Sequence, residues 1–127
     1  MKGKPATMNN TWGYHLLLDC TQGNIDEISS KENVKAFIED LVVAIDMVAF
    51  GAPWIERFAT HDLDKSGISL CQMIETSNIT GHFCEQNGNF YIDVFSCKPF
   101  DNDIVLDIVD KYFHPTKIRM HFISRDA

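Results

Sequence analysis

The spacing of apolar positions changes period several times along the chain, and each change marks an element. The run GYHLLLDC, Gly13 to Cys20, is apolar almost throughout and stops at TQGN, a turn signal, so it reads as a buried strand. From Ser30 to Phe50, Val34, Phe37, Ile38, Leu41, Val42, Ile45 and Val48 recur at spacings of three and four, which predicts an amphipathic helix. Ser30 and Asn33 are its candidate caps and Gly51 its stop. APWIERFATHDLDKSG is a strand-like piece running into a polar loop, and ISLCQMIET, Ile68 to Thr76, is a further β-compatible run. SNITG, Ser77 to Gly81, reads as a break. It is followed by the hairpin-like HFCEQNGNFYIDVFSC, whose two-residue turn is Asn87 and Gly88. After Pro99, FDNDIVLDIVDKYF predicts a second helix starting near Asn102 or Asp103, with Ile104, Val105, Ile108, Val109 and Tyr112 or Phe113 on one face. TKIRMHFISR then alternates as a half-exposed strand does.

The predicted order is strand, helix, strand, strand, strand, helix, strand. Tight connections in the middle require antiparallel pairing, so the fold class is α+β, a two-layer sandwich of an antiparallel β-sheet with two helices on one face. The other face then needs cover, and a second subunit packed sheet to sheet would supply it. At 127 residues the chain is one domain's worth: residues 1–12 read as a flexible N-terminal segment and 13–127 as a single domain.

Charge narrows the partners. Eleven Lys and Arg against 18 Asp and Glu give a net charge of -7, which works against nucleic acid or an anionic membrane and suits a cationic ligand. No apolar run has the length of a signal peptide or membrane span, so a cytoplasmic protein is expected. Cys20, Cys71, Cys84 and Cys97 are widely spaced without a C-x-x-C pair and read as free thiols.

Several short motifs fail on their chemistry. DLDKSG, Asp62 to Gly67, opens like a calcium loop, but Met73 stands where the bidentate Glu is needed. His82 and Cys84 form a lone H-x-C with no further ligands at zinc spacing, so no metal is expected. The sequons at Asn9 and Asn78 carry no weight without a secretion signal. Ser77 with His82 lacks the G-x-S-x-G elbow of a hydrolase and an orienting carboxylate. By residue type alone, Ser77 starts a turn, His82 is a bonded strand residue and Cys97 fills core.

Order and spacing add a resemblance. GISLCQMIETSNITGH followed by YIDVFSC resembles the self-processing region of bacterial S-adenosylmethionine decarboxylases, typically G-V-S-G, an apolar run, E-S-H-x-x-x-H and V-D-V-F-T-C. GYHLLLD resembles that family's opening, and GAPWIERFATH falls where the family has a strand. An ungapped match from Gly67 to Cys97 puts Ser77 on the serine that becomes a pyruvoyl group, His82 on the second motif histidine, Cys97 on the cysteine and Ser69 on the upstream serine. The resemblance implies that Ser77 attacks the Thr76 carbonyl, that elimination parts a β-chain 1–76 from an α-chain 77–127, and that the pyruvoyl group made from Ser77 is the cofactor. It implies His82 as base for the elimination, Ser69 as orienting group and Cys97 as the later proton donor. It further implies S-adenosylmethionine as substrate, spermidine biosynthesis as destination, and a homodimer of processed pairs packed sheet to sheet.

The sequence departs from that pattern around the nucleoside. Thr76 stands in place of the glutamate before the serine, and Asn78 in place of the first motif histidine. The stacking aromatic falls at Leu63, and the ribose-binding acid at Gln86, or at Glu85 if the loop shifts by one. Phe58, Phe83 or Trp54 would have to stack instead. Two alternatives therefore stand: a pyruvoyl decarboxylase of ornithine or arginine, and a non-processing paralogue that binds or regulates an active partner.

Overall fold

A computed structural model describes residues 11–127. Residues 1–10 of the expected flexible segment 1–12, with the Asn9 sequon, lie outside the described residues. The elements are β1 (Gly13–Thr21), α1 (Ile25–Ile28), α2 (Lys31–Ala44), β2 (Trp54–Phe58), β3 (Gly67–Ile74), β4 (Ser77–Phe83), β5 (Phe90–Ser96), α3 (Asn102–Phe113) and β6 (Lys117–Arg125). The strands form one sheet in the order β2-β3-β4-β5-β1-β6, antiparallel at every junction. The expected α+β architecture is therefore the observed one, with a single-turn α1 added to the two longer helices.

Alternation decides what each strand gives to the core. Tyr14, Leu16, Leu18 and Cys20 of β1, Ile68, Leu70 and Ile74 of β3, Ile79 and Phe83 of β4, and Phe90, Ile92 and Val94 of β5 are buried in one cluster with Phe37, Leu41, Val105, Val109 and Phe113 of the helices. Phe113 is its hub, with ring centroids 4.8 Å from Phe37, 5.0 Å from Phe83 and 5.1 Å from Phe90. Ser69, Cys71, Asn78, Thr80, His82, Asp93 and Phe95 take the intervening positions and line the opposite, open face. Trp54, Phe58, Met73, Tyr91 and Ile123 leave that sheet with large exposed apolar side chains.

Three local expectations are corrected. The helix predicted to Phe50 ends at Ala44, because Asp46 takes φ 60° and the chain swings to the sheet, where Ala49 bridges Ile74 and the Phe50 N–H donates to the Met73 carbonyl. SNITG is not a break but most of β4, since Ile79 and Phe83 point into the core and Ser77 pairs with Ile74 across the two-residue turn Glu75–Thr76. The β4–β5 connection spans Cys84 to Asn89 rather than two residues; Gly88 still makes its turn, at φ 82°.

Candidate active site

Two clusters of chemical groups sit at opposite ends of β4. At the Ser77 end, the Thr76 carbonyl accepts a hydrogen bond from the Cys97 N–H at 3.0 Å. Ser77 has φ 155°, a conformation L-residues rarely hold, which stores on the order of 1–3 kcal/mol where the surroundings enforce it. Those surroundings are specific. Ser77 is paired to Ile74 on one side and Ser96 on the other, and the Thr76 hydroxyl lies 2.7 Å from Ser96 Oγ and 3.3 Å from Met47 Sδ. A strained serine peptide whose preceding carbonyl is polarised by an N–H is suited to attack by the neighbouring hydroxyl, because the donor also stabilises the oxyanion that attack creates.

At the far end, Ser69 on β3 pairs directly with His82 on β4, and Ser69 Oγ lies 3.1 Å from His82 Nδ1. That contact fixes the imidazole and leaves Nε2 free to meet another group. Phe58, Lys65, Gly67, Cys84 and Tyr91 complete a shallow cavity of about 120 Å³ over this pair. Gly67 is required there, since a Cβ on it would sit 1.6 Å from the Phe83 carbonyl oxygen.

The fold thus joins Ser69 to His82, and Thr76 and Ser77 to Cys97, but within one chain it keeps the pairs apart. Five residues along a strand separate Ser77 from His82 by ~16 Å. Alternation also puts His82 on the open face while Ser77 falls in line with the core-facing Ile79. Of the thiols, Cys20 is buried and burial pushes it up to about 12, which removes it from acid-base chemistry near neutrality; Cys97 is half-buried.

The nucleoside candidates fare differently from one another. Phe58 lines the His82 cavity. Leu63, 76% exposed, lies in the β2–β3 connection and does not line it. Gln86 is exposed in the β4–β5 loop, whereas the Glu85 carboxylate is held by Arg57 Nε at 3.0 Å and Nη2 at 2.8 Å, and Arg57 Nη2 also donates to the Ser29 carbonyl at 2.7 Å. Phe83 also borders that cavity but is 3% exposed, its ring packed in the aromatic cluster; Trp54 is exposed on β2 beside Lys31 and Lys35. Residue types alone did not reveal Tyr91, Ser96 or Arg57. Tyr91, on β5 directly opposite His82 of β4, is an aromatic ring at an outward position of an alternating strand, and that is its one signal in the sequence. Among the described residues no group of three or more His, Cys, Asp or Glu side chains could hold a metal ion, and no helix is long and apolar enough to cross a membrane.

Comparison with known proteins meets this geometry from outside. The family model for S-adenosylmethionine decarboxylase matches residues 14–126. An S-adenosylmethionine decarboxylase proenzyme of Clostridium botulinum strain Langeland is 31% identical over 91 residues, 71% of this chain and 73% of that one, and its counterpart in strain Loch Maree is 30% identical over the same shares. The crystal structure of the adenosylmethionine decarboxylase from Aquifex aeolicus superposes with a TM-score of 0.76, at 20% identity, over 92% of each chain.

Proposed function

The chain belongs to the S-adenosylmethionine decarboxylase family, and on that premise we propose that it cuts its own backbone between Thr76 and Ser77 and then decarboxylates S-adenosylmethionine, supplying the aminopropyl donor for spermidine biosynthesis in the cytoplasm. The observation that carries this reading is the strained Ser77 following a carbonyl already bonded to the Cys97 N–H. Ser77 Oγ attacks the Thr76 carbonyl carbon, the amide becomes an ester, and the freed amine stays on residue 77. Loss of the Ser77 α-proton expels Thr76 as a carboxylate and leaves a dehydroalanine, which water converts to a pyruvoyl group with release of ammonia. The relatives' designation as proenzymes agrees with such a step. The residues fit the group: the backbone at Ser77 is held apart from ordinary strand geometry, and the Cys97 thiol follows directly on the strand paired with it. That ketone would supply the electron sink that decarboxylation of an amino acid needs and no side chain offers.

Completing the site takes two chains. A two-fold axis between two open sheet faces, running across the strands level with the middle of β4, would carry His82 and Ser69 of one chain over Thr76, Ser77 and Cys97 of the other. The exposed Trp54, Phe58, Met73, Tyr91 and Ile123 on that sheet give such packing its apolar area. In the resulting site His82 takes the α-proton of Ser77, Ser69 orients the imidazole, and Cys97 returns a proton to the carbon that has lost carbon dioxide. The domain is then a β-chain 1–76 and an α-chain 77–127 held in one sheet.

A second reading, decarboxylation of ornithine or arginine, is favoured by the nucleoside end alone: Leu63 lies outside the cavity, and Glu85 is taken by Arg57. Carbon dioxide release from carboxyl-labelled S-adenosylmethionine, ornithine and arginine decides between them. Turnover of S-adenosylmethionine above the other two is expected; turnover confined to ornithine or arginine would transfer the proposal to the second reading.

A further inference from the structure

We infer that Ser96 is a positioning residue for the scission, which holds the Thr76–Ser77 peptide in its reactive geometry through its hydroxyl; the inference rests on the self-processing reading above. Ser96 is the last residue of β5 and fully buried, an unusual place for a hydroxyl in a strand that otherwise sends Phe90, Ile92 and Val94 to the same side. Its Oγ accepts from the Lys98 N–H at 2.9 Å and lies 2.7 Å from the Thr76 hydroxyl, a contact in which either hydroxyl can donate. Both hydroxyls also reach Met47 Sδ, Thr76 Oγ1 at 3.3 Å and Ser96 Oγ at 3.7 Å. The two hydroxyls therefore form one bonded chain between the Lys98 N–H and the Met47 thioether.

That chain matters because of what it grips. Thr76 is held twice from β5 and its extension: by the carbonyl through the Cys97 N–H, and by the side chain through Ser96. Ser96 is also the direct strand partner of Ser77, whose φ of 155° relaxes if the turn is released. Two fixed points on one residue define the plane of its carbonyl; one does not. Loss of the Ser96 hydroxyl lets that carbonyl rotate away from Ser77 Oγ and leaves the Lys98 N–H without its acceptor. No proton of the reaction passes through Ser96, so its role is geometry alone.

The test is the rate at which freshly made full-length chain parts into 1–76 and 77–127, read by denaturing mass spectrometry. Ser96→Ala is expected to slow the cut by roughly tenfold, the rate equivalent of one lost hydrogen bond. Ser96→Thr, which keeps the hydroxyl, should stay within a few-fold of the unaltered chain, a rescue that a merely space-filling role would not give. Thr76→Val, at a half-buried turn position, removes the other end of the contact, should slow the cut to a similar degree, and reports even if Ser96→Ala fails to fold. Unaltered rates in Ser96→Ala and Thr76→Val would overturn the inference, as would Ser96→Thr as slow as Ser96→Ala. An unaltered chain that never parts sinks the self-processing reading itself, whereas normal cleavage with indifferent variants sinks only the role of Ser96.

Discussion

Glycine and alanine at position 77 both remove the attacking hydroxyl, yet they should differ in stability in the direction opposite to the usual one. Glycine in a strand normally costs roughly 0.5–1 kcal/mol relative to alanine through the entropy of the unfolded chain. At φ 155°, however, alanine keeps the strain that Ser77 bears, on the order of 1–3 kcal/mol, and glycine does not. The balance favours Ser77→Gly by about 1 kcal/mol, or about 4 °C in Tm for a domain of this size. Both variants remain single chains under the proposed function, so thermal unfolding by circular dichroism compares like with like. Ser77→Gly melting at or below Ser77→Ala would refute the argument that residue 77 is strained, and with it the claim that the fold stores energy at the bond to be cut.

Other consequences follow from the same contacts. Gly67→Ala should abolish soluble folded protein or lower Tm by more than 10 °C, since the new methyl meets the Phe83 carbonyl and must force β3 from β4; a Tm near that of the unaltered chain, measured by differential scanning calorimetry, would contradict the register. His114, in the left-handed conformation that caps α3, lies 2.9 Å from Glu27, and that hydrogen bond and charge raise its pKa above the ordinary histidine value. A raised folded pKa stabilises the protein fully below the unfolded value and ceases to do so as pH rises through the folded one. Glu27→Gln should therefore melt below the unaltered chain at pH 5.5 and draw level with it by about pH 9; a deficit that grows with pH would reverse the assignment.

Legibility in the sequence followed the range of the interactions concerned. The strand at Gly13, the second long helix and the closing strand were readable because alternation and three-four spacing are local, and Ser30 does cap α2 through the Asn33 N–H. The end of α2 was not, because Val48 extends the helical spacing while the Ala49–Ile74 bridge claims that stretch for the sheet. SNITG read as a break since Ser, Asn, Thr and Gly favour turns; only its pairing with β3 and β5 makes it a strand. The candidate site divides in the same way. The spacing of Ser69, Ser77, His82 and Cys97 was visible through resemblance, whereas the Thr76–Ser96 contact and the Arg57–Glu85 pair join residues 20 and 28 positions apart and appear only once strand register and chain path are known. Register also exposed what spacing concealed: His82 and Ser77 are near in sequence and far apart in the fold, which is why the account needs a second chain.

The central claim is a bond that breaks itself, and the most direct measurement is the mass of the purified protein under denaturing conditions. The account predicts two species, residues 1–76 and residues 77–127 with a pyruvoyl group in place of Ser77, and a single intact chain for Ser77→Ala. An unaltered protein that remains one chain of full mass after prolonged incubation would contradict it and favour a paralogue that keeps the fold without the chemistry.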